Sequence, residues 1–204
     1  MVGAHSQNEQ RPYSIASSPD QTANTGHLEL LIAVEPNGGL GANLSPTTPG
    51  TLVDVTGPIG DFTLPETMNL YGILLVAGGT GIAPLRSMLD HLVRRGGPVQ
   101  ISLLYSARRS DEFAFINELK KLADSERIDL HQTVTRDEGG SWAGGRGRIG
   151  RSHFEAVLHE PLATLCVVCG PEPLVHESVT TLRALGVPDE HIRTEGARVI
   201  DLRE

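Results

Sequence analysis

The stretch ILLVAGGTGIAPL, residues 73–85, decides the fold of most of this chain. Its first five residues are apolar, which is typical of a strand buried on both faces of a parallel sheet. Glycines follow at once, and an amphipathic segment then runs from Leu85 to Arg95 and ends at Gly96. A buried strand that passes through glycines into a helix is a common phosphate site, because the helix N-terminus offers free N–H groups.

The glycine loop predicts a binding site for the pyrophosphate of a dinucleotide. Gly79 and Gly81 lack side chains, so a pyrophosphate can approach the backbone closely. We expect Pro84 at the first helical position, where its missing N–H would be unpaired in any case. No Lys-Ser/Thr pair follows the glycines, which argues against a nucleoside triphosphate loop. From the residues alone, a plain tight turn remains the alternative.

The chain after residue 70 alternates apolar runs with amphipathic segments. This pattern predicts an α/β fold, with helices around a doubly wound, five-stranded parallel sheet. The predicted strands are 73–77, 99–105, 128–134, 164–168 and 191–194. The predicted helices are 85–95, one capped by Ser110 that presents Phe113, Ile116, Leu119 and Leu122, a short one around Phe154, and 172–185.

The chain before residue 65 has a different character. Short β-like runs at 11–16, 27–34 and 51–56 are separated by stretches rich in Gly, Pro, Asn and Ser. This pattern predicts antiparallel structure, a partial β-barrel. We therefore expect two domains, residues 1–65 and residues 66–204.

Arginines follow the predicted strands where a nucleotide would bind. At the end of the second strand of such a sheet, an acidic residue suits the ribose hydroxyls of NAD, whereas arginine suits the additional phosphate of NADP. Here YSARRSDE places Arg108 and Arg109 at that point. Arg136 in VTRDE and Arg148 in GRGRIG follow later, and we expect them to converge on the same anion. Ordinary solvated arginines are the alternative.

The two cysteines have the spacing of a redox or metal motif but lie in the wrong setting. Cys166 and Cys169 belong to TLCVVCG, which is typical of a buried strand. Residues three apart on a strand point to opposite faces, so these thiols are not expected to bridge or to share a metal. The eight histidines show no ligand spacing either, and we predict no metal site.

Composition narrows the functional classes. The 204 residues carry a net charge of −8, which does not favour binding to nucleic acid or to an anionic membrane. No apolar run is long enough to span a membrane, and the N-terminus lacks the apolar core of a secretory signal. We predict a cytoplasmic protein without a membrane span.

Four motifs in order resemble those of the ferredoxin–NADP reductase superfamily of flavoenzymes. They are RPYS at 11–14, GPIGDF at 57–62, GGTGIAP at 78–84 and CGPEPL at 169–174. The resemblance covers roughly residues 11–197, and four ordered motifs are far more specific than one glycine loop. It implies that FAD and NADP(H) or NAD(H) are the cofactors.

The resemblance also assigns roles to residues. It implies that Arg11 pairs with the FAD pyrophosphate, that Tyr13 packs on the isoalloxazine ring and that Ser14 lies near flavin N5. It places Cys169 beside the nicotinamide and Glu195 near the reacting rings. The catalytic residues that we predict are Ser14, Cys169 and Glu195. The cofactor-binding residues that we predict are Arg11, Tyr13, Ser14, Gly79, Thr80, Gly81, Pro84, Arg108, Arg136, Arg148, Cys169, Gly170 and Pro171.

The activity implied is hydride transfer between NAD(P)H and FAD, with electrons passed to a protein or small acceptor. The protein acceptor would be a ferredoxin-like protein or an oxygenase component. No cysteine cluster for an iron–sulfur centre is present in the sequence, so any such centre would belong to that partner.

The chain departs from the family pattern in its first part and near its end. The family's flavin domain is a closed barrel, but residues 1–65 supply too few strands to close one, which leaves strand edges unpaired. The alternative function is therefore a catalytically incomplete NAD(P)-binding module, or a subunit that requires a partner chain. Ala42 stands where the family usually has Ser or Thr, and Ala197 stands near the position of a flavin-covering aromatic residue.

Overall fold

The computed structural model describes residues 1–4, 10–34, 48–66, 70–136 and 142–195. Ala42 and Ala197, where the sequence departs from the family pattern, lie outside the described residues. The predicted division at residue 65 stays a prediction.

The N-terminal segment forms a small antiparallel lobe. Strand β1 (Val2–Ala4) pairs with β2 (Val53–Val55), and helix α1 (Pro19–Thr25) lies between them in the chain. Single antiparallel bridges join Val2 to Arg11 and Ile15 to Leu30. The antiparallel character was predicted, although of the described residues only 53–55 in the three predicted runs form a regular strand.

Helix α1 was not predicted, because its sequence is rich in residues that also favour turns. Ser18 caps its start, since the Ser18 hydroxyl accepts a hydrogen bond of 3.0 Å from the amide of Gln21. Pro19 occupies the first turn, and Gly26 ends the helix in the left-handed region with φ of 70°. Ser18 and Gly26 thus mark the start and the end of a helix that is only seven residues long.

Among the described residues from 70 onward, the strands form a six-stranded parallel sheet in the order β6-β5-β4-β3-β7-β8. Its strands are β3 (Gly72–Gly78), β4 (Gln100–Ala107), β5 (Asp129–Val134), β6 (Gly145–Arg146), β7 (Thr164–Cys169) and β8 (Ile192–Thr194). The five predicted strands are all present. The two-residue β6 at the sheet edge was not predicted, because GR carries no strand pattern.

Helices cover both faces of this sheet, as predicted for a doubly wound fold. They are α2 (Ile82–Arg95), α3 (Ile116–Asp124), α4 (Arg151–Val157) and α5 (Glu172–Ala184). One face buries Ile73 and Leu75 with residues of α2 and α3, including Leu89 and Leu119. The other buries Leu74 and Val76 with residues of α4 and α5, such as Phe154 and Leu182. The all-apolar run of β3 therefore fills two cores at once.

Two predicted helix starts were wrong. Helix α2 begins at Ile82, so Pro84 is the third helical residue rather than the first. Its missing N–H still costs nothing, because the first four N–H groups of a helix have no partner within it. Ser110 does not cap α3, since residues 110–112 form a separate 3₁₀ turn and Phe115 precedes the helix in the left-handed region.

The strand geometry separates the two cysteines as predicted. Cys166 packs into the core on the α4–α5 side of the sheet, and Cys169 packs into the core on the α2–α3 side. Both thiols are free and buried. Burial raises the pKa of the Cys166 thiol from 9.0 to about 12, so this side chain behaves as a small apolar core residue.

Candidate active site

The glycine loop lies at the carboxyl end of β3, the edge where open α/β sheets bind ligands. Residues 79–81 form a 3₁₀ turn that leads directly into α2. Gly79 has φ of +55° and nothing within 4 Å of where a Cβ would lie, so it combines a left-handed backbone with open space. Thr80 beside it is also exposed, whereas Gly81 and Pro84 are buried.

Gly81 packs against the turn that follows β7. A Cβ on Gly81 would lie 2.3 Å from the carbonyl oxygen of Cys169 and 2.7 Å from the amide nitrogen of Gly170. A Cβ on Gly170 would in turn lie 3.0 Å from the Cα of Gly78. The predicted pyrophosphate loop and the CGPEPL motif are therefore in backbone contact. Pro171 follows as the exposed residue that precedes α5.

The three predicted catalytic residues meet at this edge although they come from distant parts of the chain. The Ser14 hydroxyl donates a hydrogen bond of 2.6 Å to Oε1 of Glu195. The Cys169 thiol donates one of 2.9 Å to Oε2 of the same carboxylate. Glu195 lies directly after β8, where its amide donates to the carbonyl of Val168 at 3.3 Å. One carboxylate thus joins the N-terminal lobe to the end of β7.

The thiol of this cluster is held in its neutral form. Burial raises the pKa of Cys169 well above its usual range, and the adjacent Glu195 carboxylate raises it further. A neutral thiol is a weak nucleophile, since the thiolate is the reactive species. The geometry therefore fits a packing and hydrogen-bonding role rather than covalent catalysis.

Arg11, Tyr13 and Ser14 lie on one extended segment that leads to this cluster. Arg11 is exposed and exchanges two backbone hydrogen bonds with Val2, of 2.8 and 3.0 Å. Tyr13 and Ser14 are half-buried. An exposed guanidinium, an aromatic ring and a hydroxyl in succession suit the phosphates, the ring system and the polar edge of a flavin.

Three predicted arginines lie near one another at the carboxyl ends of β4, β5 and β6. The amide of Arg136 donates to the carbonyl of Arg108 at 2.8 Å. The loop before Arg148 is tied to β5, because the amide of Gly147 donates to the carbonyl of Val134 at 2.9 Å. All three arginines are exposed, and Arg148 has a distant ion pair with Glu177 at 3.9 Å.

Arg109 differs from this group in its chemistry. Its guanidinium binds the carboxylate of Asp111, with one N–O distance of 2.9 Å. The hydrogen bond and charge of Asp111 raise the pKa of Arg109 further. Arg109 is thus already neutralised by a local carboxylate.

Tyr105 supports the glycine loop, and sequence reasoning missed it. Its fully buried side chain donates from the hydroxyl to the carbonyl of Gly79 at 3.2 Å and accepts from the amide of Ala114 at 3.1 Å. Its ring packs edge-on against Phe113, with centroids 4.9 Å apart. Burial raises the pKa of Tyr105 to about 12. The sequence signal for this role was a tyrosine near the end of a predicted strand, and nothing local pointed from it to the glycine loop.

Two family models and several known proteins match this chain. Residues 75–179 match the oxidoreductase NAD-binding domain, and residues 1–64 match the oxidoreductase FAD-binding domain. The chain is 34% identical over 194 residues to ferredoxin–NADP reductase B of Sorangium cellulosum, covering 91% of this chain and 77% of that protein. It is 32% identical over 164 residues to an NADH-cytochrome b5 reductase-like protein of Arabidopsis thaliana, covering 79% of this chain but 48% of that protein.

A solved structure has the same fold. The crystal structure of the cytochrome b5 reductase domain of Ulva prolifera nitrate reductase gives a TM-score of 0.79 at 25% sequence identity. The match covers 95% of this chain and 82% of that one.

The fold, the glycine loop and the two domain matches define an oxidoreductase with FAD- and NAD-binding domains. The chain belongs to the ferredoxin–NADP reductase superfamily. The predicted family and the cofactors FAD and NAD(P)H are thereby confirmed. Among the helices that the structure describes, none has the length and apolar character needed to cross a membrane.

Proposed function

We propose that this chain is an NAD(P)H-dependent flavoprotein reductase that passes electrons onward to a protein or small acceptor. The observation that carries the proposal is the Glu195 carboxylate, which accepts hydrogen bonds from both Ser14 and Cys169. It joins the segment suited to the flavin to the turn suited to the nicotinamide. When bound, FAD would accept a hydride from NAD(P)H and release its electrons one at a time.

The proposed catalytic residues orient groups and hold protons. The Ser14 hydroxyl would hydrogen-bond the polar edge of the flavin, and its bond to Glu195 would fix the direction of the hydroxyl. The neutral Cys169 thiol supplies a small, uncharged surface against the nicotinamide. Glu195 contributes the carboxylate that both of the other side chains contact.

The proposed binding residues divide between the two cofactors. Arg11 would hold the FAD pyrophosphate, and Tyr13 would cover the ring system. The turn at Gly79, Thr80 and Gly81, continued by Pro84, would receive the nicotinamide dinucleotide pyrophosphate at the start of α2. Gly170 and Pro171 would line its nicotinamide end.

The three clustered arginines support a preference for NADPH. Arg108 and Arg136 are tied by a backbone hydrogen bond, and Arg148 lies on the adjoining strand end. Guanidinium groups bind phosphate oxygens in a planar, bidentate manner, which suits the 2′-phosphate of NADP. We propose that these arginines form that subsite.

A one-electron protein acceptor is the proposed partner. Curated relatives are named as reductases of ferredoxin and of cytochrome b5. A ferredoxin-like protein or an oxygenase component fits the same role. Some relatives are much longer than the matched region, since the chain spans 37% of cytochrome b5 reductase 4 of Xenopus tropicalis.

A second candidate function rests on the surface of the N-terminal lobe, which we propose extends over residues 1–65. Leu52, Val55 and Ile59, which are close in sequence, are exposed by 68, 56 and 76%. Such a lobe suits completion by another chain. The chain would then be an NAD(P)-binding module or subunit whose active site needs a partner.

Steady-state turnover distinguishes the two functions. FAD-loaded protein is mixed with NADPH or NADH and with ferricyanide, a one-electron acceptor that needs no docking surface. We expect turnover that Ser14→Ala and Glu195→Gln reduce about tenfold or more, because each removes a positioned hydrogen bond. A chain that binds NADPH by calorimetry but gives no turnover would reject the reductase and support the incomplete module.

A further inference from the structure

Arg86 makes an unusually complete set of contacts just after the glycine loop. It lies in α2, and its side chain is 8% exposed. Its guanidinium donates to both oxygens of Glu118 at 3.0, 3.0 and 2.8 Å. It also donates to the carbonyl of Ala16 at 2.9 Å and to Glu29. The ring of Phe115 lies 4.4 Å from its central carbon.

The charge of Arg86 is secured by its partners. Burial alone would lower the pKa of the guanidinium, but hydrogen bonds and charges from Glu118 and Glu29 raise it above its ordinary value. Two carboxylates and one carbonyl therefore surround a permanent cation. A buried cation that is this well paired is costly to change, because removing one partner leaves charge without compensation.

The contacts of Arg86 reach two different lobes. Glu118 belongs to α3 on the dinucleotide side, whereas Ala16 and Glu29 belong to the N-terminal lobe. Ala16 and Glu29 are themselves joined, since the amide of Ala16 donates to the carbonyl of Glu29 at 2.8 Å. Arg86 thus contacts two segments of the N-terminal lobe that a backbone hydrogen bond holds together.

One of these segments carries Ser14, only two residues before Ala16. Further contacts from α2 extend the attachment, because the Ser87 hydroxyl donates to the carbonyl of Ser17 at 2.8 Å and Ser18 donates to Asp90. The same helix begins at the glycine loop. Its first turns therefore fix the distance between the dinucleotide loop and the Ser14 segment.

We infer that Arg86 is a positioning residue, which holds the Ser14 segment against Glu195 and Cys169 and so sets the alignment of the two cofactors. The expected effect of Arg86 on hydride transfer rests on the proposed function. The contacts of Arg86 with the N-terminal lobe do not depend on it. Arginine suits the role because its planar fork bonds several acceptors in fixed directions, whereas lysine presents one point charge. Alignment matters because displacements near 1 Å lower rates about 100-fold.

Cysteine labelling tests the positioning role without relying on activity. Cys169 lies beneath the Ser14–Glu195 contact, and Cys166 lies on the opposite face of the sheet as an internal standard for global unfolding. FAD-loaded full-length protein is treated with iodoacetamide, and each cysteine is quantified by peptide mass spectrometry. The variants are Arg86→Lys and Glu29→Gln. The control is Arg151→Gln, which breaks an exposed ion pair with Glu155 on α4.

We expect both variants to label Cys169 about tenfold faster, since losing one charged hydrogen bond to the segment favours local opening by roughly that factor. Cys166 should change less than twofold. Equal acceleration of both cysteines would show a merely structural role, and unchanged labelling of Cys169 would show that the segment does not depend on Arg86. Either result overturns the inference.

Flavin reduction separates this inference from the proposed function. Per bound flavin, reduction by saturating NADPH should fall about tenfold in both variants, with nucleotide affinity unchanged. If neither NADPH nor NADH reduces the bound flavin of the wild-type protein, the proposed function is rejected. The cysteine labelling would still decide the role of the Arg86 contacts. Normal reduction by variants with exposed Cys169 would reject the positioning role in catalysis.

Discussion

Replacing Gly81 by Ala tests the contact between the glycine loop and the turn after β7. The new Cβ would lie 2.3 Å from the carbonyl oxygen of Cys169, 2.5 Å from its carbonyl carbon and 2.7 Å from the amide nitrogen of Gly170. These distances are about 1 Å shorter than ordinary van der Waals contact. All three atoms belong to the backbone, so no side chain can rotate away. The two turns must separate.

The expected cost follows from that separation. Overpacking of a close-packed site typically lowers the free energy of unfolding by about 1–3 kcal/mol. Moving Cys169 and Gly170 by about 1 Å relative to the loop should lower flavin reduction by NADPH about 100-fold. The first quantity is measured by urea unfolding and the second by stopped-flow absorbance under anaerobic conditions, with rates expressed per bound flavin.

Gly150→Ala is the matched control. Gly150 has φ of −148°, which alanine adopts freely, and a Cβ at this position would lie 4.0 Å from its nearest neighbour, the carbonyl oxygen of Arg148. This variant should change both quantities little. A Gly81→Ala protein that unfolds and reacts like Gly150→Ala would show that the glycine loop and the turn after β7 are not in tight backbone contact.

Three further predictions concern individual side chains. Arg136→Ala should raise KM for NADPH about tenfold and leave KM for NADH unchanged, because only NADPH carries the additional phosphate, and Arg109→Ala is the control. Glu195→Gln should slow flavin reduction about tenfold, while the affinity for the nucleotide, measured by calorimetry, should change less than twofold. An equal loss of rate and affinity would argue against a role of Glu195 in alignment. The third prediction concerns pH. Burial raises the pKa of Cys166 from 9.0 to about 12, so the folded protein holds the thiol proton more tightly than the unfolded chain does. The stability that Cys166 contributes is therefore complete below pH 9 and is lost as the pH rises toward 12. Between pH 8 and 10 wild type should therefore lose about 1.4 kcal/mol more unfolding free energy than Cys166→Ala, and parallel urea profiles would contradict this.

Local patterns predicted the parallel sheet well, for a physical reason. The run 73–77 is apolar throughout because β3 is buried on both faces, and such runs need little long-range information. Boundaries were less predictable where local signals compete. Ser110 has the chemistry of a helix cap, yet residues 110–112 form a 3₁₀ turn and α3 starts at Ile116.

The site residues could be predicted only where they belong to motifs of the resembling family. Ser14 and Glu195 lie 181 positions apart, and no local pattern predicts their 2.6 Å hydrogen bond. The family resemblance brought them together, and the structure then gave the geometry. Arg86 and Tyr105 were missed because their importance depends on partners from other segments. In sequence, Arg86 is one more polar residue of an amphipathic helix.

Reconstitution with FAD shows whether this chain binds flavin and accepts hydride from a nicotinamide cofactor. The purified protein is incubated with excess FAD, desalted, and titrated anaerobically with NADPH while its visible spectrum is recorded. We expect flavin bands that survive desalting and bleach on addition of NADPH. A protein that retains no flavin, or that retains flavin which neither NADPH nor NADH bleaches, would contradict the claim that this chain is itself a flavin-dependent reductase.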